Sequence, residues 1–430
     1  MRFGTGRLPI CGLLGGFLAF SLLAFPHTAS AQSGGAQKPK SIFRFEEHPT
    51  IKAGKVTIMF RARFQADWKS SEASTDETDA PVLDLAKRRV GVEGTVGKYV
   101  EYEASFDLDD EEAPWRDLYL NYSQFNEAQF QYGKFKLPFG LDENTSATNL
   151  DFIYRSLAAS TLAPGRDVGF MAHGRVLKGI FRYQIGLFDH DGRNAKPKST
   201  SSRVFGDRTR VMRFSVDPFR ESKSHLADLT VGVAVASTDV PEGYSGVRGH
   251  TVFGQKFFGS DYLVNGKRER MGYEVRWRPG PASFQAEYIT MTEERNGVSV
   301  TDGNLTPIRA TGWYVSGTYA VTGDRKSDGL DATKRPVHKG GPGAIELAFR
   351  LEKLAFDSEA TGDLPSTSIR STMIIGNADK VTTFGVNWYA NRWLKVQFNF
   401  IREELQDTSL GPAPSLPVFW SKSVRFQFTL

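Results

Sequence analysis

The chain has 430 residues, 54 Lys+Arg against 49 Asp+Glu, a formal charge of +5 and one cysteine, Cys11. So small an excess, spread along the chain, leaves no footprint for nucleic acid. One cysteine cannot form an intramolecular disulfide. Aromatic residues make up 12% of the chain and glycines number 42. Helical periodicity is hard to find, so the reading turns to strands.

Residues 1–31 have the form of a secretory signal peptide. Arg2 and Arg7 make a positive start, Leu8 to Phe25 are almost wholly apolar or glycine, and Ala29-Ser30-Ala31 supplies a small-x-small cleavage pattern. Export removes Cys11 and both arginines, leaving a charge of +3. Residues 32–58 read as a leader with one short strand at most. Beyond residue 31 no apolar run is long enough for a spanning helix.

From Met59 the pattern has period two. Phe60, Ala62, Phe64, Ala66 and Trp68 face one way; Arg61, Arg63, Gln65 and Asp67 face the other. Val100 to Leu108, Ile345 to Leu351, Val396 to Phe400 and Val424 to Leu430 repeat it. Sixteen such segments are predicted, at 59–68, 87–94, 99–108, 115–122, 128–135, 168–176, 181–188, 208–216, 229–236, 271–278, 283–291, 312–320, 344–354, 380–389, 394–402 and 422–430. Long and short connections alternate between them, except at 321–343, where a long segment replaces a short turn and is read as folding inward. Residues 59–430 are therefore predicted to be an all-β, sixteen-stranded antiparallel transmembrane β-barrel of the outer membrane. In hydrocarbon every backbone polar group needs a partner, and a closed barrel leaves no open edge. A soluble periplasmic β-protein is the competing reading, since its polar face would also alternate.

Gly133-Lys-Phe-Lys-Leu-Pro-Phe-Gly-Leu-Asp-Glu-Asn-Thr-Ser146 ends one strand and starts a long polar connection through Arg155. Pro138 and Gly140 redirect the backbone there, so 141–167 is expected to enter the lumen as an inward-folded constriction loop. This stretch, with Thr145-Ser146, Gly385-Val-Asn-Trp-Tyr-Ala-Asn391 and Lys395-Val396, resembles the phosphate-selective porin O and P family. Shorter similar pieces are Arg63-Phe-Gln-Ala-Asp67, Phe106-Asp-Leu108, Gln285-Ala-Glu-Tyr288 and Tyr319-Ala-Val-Thr-Gly-Asp324.

The resemblance implies a usually trimeric barrel whose inward loops and Arg/Lys-lined path carry anions. It implies further that Arg88 and Arg89 are the paired arginines opening the second strand, Asp117 the acidic residue of the central site, Arg155 the loop-end arginine and Arg63 a lumen arginine. Two family lysines fall on Asn144 and Glu101, so fewer cations stand at the constriction.

Oxyanions suit forked guanidinium and point-charge ammonium donors. Arg61, Arg63, Arg88, Arg89, Arg155 and Arg213, with Lys134 and Lys136 flanking the Pro138 turn, are the candidates for an anion path. The competing role for each arginine is to pair with Glu93, Glu101, Glu103 or Asp117 and brace a watery lumen. The acidic runs Glu72–Asp79 and Asp109–Glu112 read as solvated outer loops. Scattered histidines give no metal spacing, and no nucleophile elbow or phosphate-cradling loop appears, so neither catalytic residues nor a cofactor are expected. The function expected is passive diffusion of small anions such as phosphate or polyphosphate, by a homotrimer contacting outer-membrane lipid. A general-solute porin without phosphate selectivity and a plugged structural or adhesive barrel are the alternatives.

Overall fold

Two-faced strands can satisfy lipid outside and water inside only by closing on themselves, and this chain does so. The computed structural model describes residues 42–45, 48–73, 82–110, 114–194, 208–259, 263–297, 303–327, 329–330, 333–357, 376–409, 411–412 and 416–430. The signal peptide expected at 1–31, the first part of the leader and most of the acidic run Glu72–Asp79 lie outside these residues.

A hairpin of β1 (Phe43–Phe45) and β2 (Pro49–Ala53) leads into β3 (Val56–Ser71). The first half of the barrel continues with β4 (Val82–Val96), β5 (Val100–Asp107), β6 (Trp115–Phe125), β7 (Ala128–Lys136), β8 (Arg166–Val176), β9 (Phe181–Phe188), β10 (Thr209–Val216) and β11 (Thr230–Ser245). A small hairpin of β12 (Gly249–His250) and β13 (Lys256–Phe258) forms a separate sheet that is not part of the ring of strands. The second half is β14 (Leu263–Trp277), β15 (Ala282–Arg295), β16 (Leu305–Ala320), β17 (Ala344–Asp357), β18 (Asn377–Tyr389), β19 (Leu394–Leu405) and β20 (Val418–Thr429).

Leaving out β1, β2, β12 and β13, sixteen strands among the described residues pair antiparallel with their neighbours, matching the expected number and order. β20 closes the ring on β3, from Ser421 opposite Ser71 to Thr429 opposite Arg63. The last residue takes part: Leu430 and Ala62 exchange backbone hydrogen bonds of 2.8 and 3.0 Å.

Six strands outrun their predicted ends at the long-loop rim by four residues or more: β4, β11, β14, β15, β16 and β20. The reason is local. In Lys267-Arg-Glu-Arg270 both faces are charged, with Arg268 and Arg270 buried inward and Lys267 and Glu269 exposed. Above the apolar band alternation of hydrophobicity disappears, although the strand continues.

The exposed outer face carries Phe170, Phe349, Phe384, Phe398 and Phe426. The lumen is half filled. Residues 137–165 fold inward with two short helices, α1 (Leu141–Asn144) and α2 (Leu157–Leu162). The β12–β13 segment also folds inward, which the sequence reading, treating 237–270 only as one long connection, did not foresee. Phe257 and Phe258 are buried against Phe356 of β17, with ring centroids 6.3 and 4.1 Å away. With Leu157, Ala158, Leu162, Ile289, Ile308 and Leu354 they form an apolar core inside the barrel, on the β14–β18 side.

Candidate functional site

The constriction loop is held by its backbone. Gly140 has φ of 83°, a left-handed conformation that favours glycine, and a Cβ there would approach Glu287 Oε1 to 2.9 Å. Both demands explain the glycine. Glu287, on β15, accepts the Leu141 and Asp142 amides at 2.9 and 3.2 Å. Glu352 on β17 accepts the Leu157 amide at 2.6 Å, and Asn399 on β19 accepts that of Ile153 at 2.8 Å. Going the other way, Lys395, Asn387, Arg350 and Arg425 donate to the carbonyls of Leu150, Asp151, Tyr154 and Ile153 at 2.6–3.0 Å. Ser156 caps α2 by accepting the Ala159 amide at 3.2 Å.

Asn144, where the family resemblance would have a lysine, donates to the carbonyls of Leu137, Phe139 and Gly140 at 2.9–3.3 Å. It fastens the loop onto itself. Burial alone would raise the pKa of Glu143, but Arg193, Arg155 and Lys136 outweigh that and hold its carboxyl below the ordinary 4.5.

The loop packs against the β14–β20 wall and leaves open space against β3–β7. That space is a cavity of about 760 Å³, lined by eleven Lys/Arg and six Asp/Glu, an excess of five positive charges. The cations are Arg61, Arg63, Lys69, Lys87, Arg89, Arg116, Lys136, Arg155, Arg166, Arg193 and Arg425. Most are matched: Arg61 with Glu93 (2.8 Å), Arg89 with Asp107 (3.1 Å), Arg166 with Asp117 (2.9 Å), Arg425 with Asp67 (2.6 Å) and Lys69 with Asp84 (3.0 Å). Arg63 is not. It is 8% exposed, its Nε is buried without an acceptor, and no carboxylate pairs with it among the described residues. The charges acting on it are chiefly Arg89, Arg166, Asp107 and Arg425. A buried guanidinium among other guanidiniums is costly unless an anion joins it.

A second cavity of about 520 Å³, lined by His48, Trp393, Lys395 and Gln427, meets the first at Arg61, Ser146, Thr148 and Thr429, which line both. Together they follow β3 for about 26 Å from Lys69 to Arg61, at 3.3 Å per residue, and on toward the short-turn rim. The turn 321–343, with Leu330 buried against Ala320, Ala344 and Tyr389, folds inward as expected. Its Lys326 donates to Asp151 of the constriction loop at 2.5 Å and to Glu346 of β17. Burial alone would lower the pKa of this lysine, but Asp151 and Glu346 outweigh it and raise it above 10.5.

The eight expected path residues fall into four groups. Arg63, Arg89 and Asp117 line the large cavity directly. Arg155 and Lys136 line it too, but spend their donors on loop carbonyls: Lys136 on Glu143 and Thr145 at 2.6 and 3.0 Å, Arg155 on Asp142 and, at 2.7 Å, Thr145. Arg213 faces inward yet lies in a separate cavity of about 860 Å³ beneath α1, paired with Glu274 at 2.6 Å.

Arg88 and Lys134 are corrections. Arg88 stands opposite Phe64 on the outer face and binds Asp109, whose Oδ2 accepts its backbone amide at 2.8 Å. Lys134 stands opposite outward Leu118 and Val168. Neighbouring strand residues point to opposite faces, so the lumen can take Arg89 or Arg88 but not both.

Lys87, Arg116, Arg166, Arg193 and Arg425 were not singled out from sequence. Arg425 lies on the polar face already recognised in the last strand. Arg166 and Arg193 lie at a loop edge, where periodicity carries no signal. Among the described residues no group of three or more His, Cys, Asp or Glu is placed to hold a metal ion.

Known proteins share both sequence and fold. Porin O of Pseudomonas aeruginosa is 24% identical over 379 residues, 79% of this chain and 81% of that protein. Among solved structures, OmpT, an outer membrane protein of Vibrio cholerae, superposes with a TM-score of 0.57 at 14% identity, covering 89% of this chain and 99% of its own. An anion-selective porin from Comamonas acidovorans gives 0.54 at 12% identity, covering 87% and 100%. These structures bear on fold. The model of the phosphate-selective porin O and P family matches residues 58–430, and the chain belongs to that family, a barrel of the Gram-negative outer membrane.

Proposed function

We propose that the passage along β3 and β4 conducts small oxyanions, phosphate among them, by passive diffusion, with Arg63 as the point where a passing anion is held. The observation that carries this reading is the pairing pattern. The passage has an excess of five positive charges, and its buried Arg63 has no protein counterion among the described residues. An anion entering between Lys69 and Lys87 would meet Arg89 and Arg63 in turn and leave past Arg61. At each step it exchanges water for forked donors, and multiple weak sites allow it to move on.

The site is read as favouring anions without gripping phosphate tightly. Lys136 and Arg155 are committed to loop carbonyls, and Asn144 replaces a cation. The chain is read as a channel and not an enzyme, and as a homotrimer, the form in which one structure of OmpT from Vibrio cholerae is described. The exported precursor, with 1–31 removed, is part of the same proposal.

Conductance with phosphate titrated against chloride tests this. Chloride current should fall saturably as phosphate occupies the Arg63 site. A cation-preferring pore, or a barrel giving no solute flux in liposome swelling, would overturn it.

A further inference from the structure

On the outer face of β17–β20 the apolar band gives way to cations toward the long-loop rim. Past Leu351, Phe384, Phe400 and Val424 the outward side chains become Lys353, Lys380, Arg402 and Lys422. Lys353 and Lys380 stand directly opposite each other on neighbouring strands. Like charges so placed repel. The carboxylate nearest in register, Glu404 opposite Lys380, is bound instead to Arg402 at 2.8 Å. Neither lysine has an acidic partner among the described residues.

Two other outward cations at this rim are matched. Arg210 pairs with Asp239 at 3.4 Å, and Arg88 with Asp109. In this sector the cations stand on four adjacent strands, and they sit on aromatic surface. Lys422 lies 5.9 Å over the Phe400 ring, which stacks on Trp420 at 4.6 Å.

We propose that this sector binds an acylated, multiply phosphorylated glycolipid of the outer leaflet. Four strands at about 4.8 Å spacing carry the cations across roughly 14 Å, room for more than one phosphate. The acyl chains would lie on the Phe384 and Phe400 surface below. Charge complementarity and continuity with the apolar band select this occupant: a soluble anion would gain nothing from the band.

The test uses the full-length folded chain in detergent and native mass spectrometry with bisphosphorylated lipid A. The double variant Lys353→Gln/Lys380→Gln should bind it about thirtyfold more weakly, since each of the two cations near an anionic surface contributes on the order of 1 kcal/mol. Lys353→Arg/Lys380→Arg should restore binding, and Arg210→Gln should leave it unchanged. Heat-modifiable migration on gels confirms that each variant is folded. Equal binding by the double variant, or by dephosphorylated lipid A, would overturn the proposal. So would displacement of the lipid by inorganic phosphate at matched phosphate concentration, which would mark a free-ion site. Loss of oligomer size with lipid binding intact would mean that a second copy covers the sector.

Discussion

The two sides of the lumen use the same residue types for opposite ends. Along β14–β19, four inward carboxylates bind loop backbone, two of them, Glu293 and Glu352, while also pairing with Arg268 and Arg350. Glu287 and Glu352 accept amides from the constriction loop, and Glu293 and Glu403 accept those of Val247 and Val252 from the second inward segment. Those acids turn a polar wall into a socket, and the loops fill it. Along β3–β7 the acids face cations around the open cavity, whose whole lining has eleven Lys/Arg and six Asp/Glu. Position on the wall, and not composition, separates a structural carboxylate from an electrostatic one. The packed side fixes the loop so that the open side keeps its width.

Breaking the packed side should have the largest effect. Glu287→Ala leaves two buried amides without acceptors, at about 1–3 kcal/mol each. The constriction loop should then fluctuate, seen as current noise and a larger mean conductance. A quiet, unchanged trace would count against the socket.

Gly312→Leu attacks the same contact from the wall. A Cβ at Gly312 would stand 2.7 Å from Cβ of Ala158 in α2. Overpacking of this kind costs about 1–3 kcal/mol and should push α2 toward the passage, lowering conductance. An unaltered conductance would show that α2 has room the geometry denies.

Acid should loosen the loop more gently. The Glu143 carboxyl is held below 4.5, so its contribution is complete above that pH and is lost as pH falls through the depressed value. Loop noise should therefore appear only below pH 4.5 and be absent at neutrality. Onset between pH 5 and 7 would assign the transition to another group.

The smallest effect belongs to Arg88. On the outer face with Asp109, its replacement by alanine should leave ion selectivity unchanged, whereas Arg89→Ala should reduce anion preference. Equal losses in the two variants would return Arg88 to the path.

Much of this was legible in the sequence, and the failures are instructive. Period two gave all the barrel strands because lipid and water impose opposite demands on alternate residues. It also contained the answer for Arg88, which keeps step with apolar Val90 and Val92 of its own strand, whereas Arg89 keeps step with Glu93. The pairing of Arg88 with Arg89 came from family resemblance, which carries position along the chain but not orientation. The two-sided lumen was invisible. Whether Glu287 binds an amide or an arginine depends on which wall the loop reaches, and no local pattern encodes that. The inward turn of residues 252–258 had a signal, its three phenylalanines in a long connection.

The central claim is that Arg63, buried and without a protein counterion, makes the open side an anion path. Zero-current reversal potential across a potassium chloride gradient measures it most directly, comparing the unmodified chain, Arg63→Ala and Arg213→Ala. The account predicts anion preference in the unmodified chain, a marked loss of it in Arg63→Ala, and none in Arg213→Ala, whose guanidinium is bound to Glu274 in a separate cavity. Preference for potassium in the unmodified chain, or full anion preference in Arg63→Ala, would contradict it.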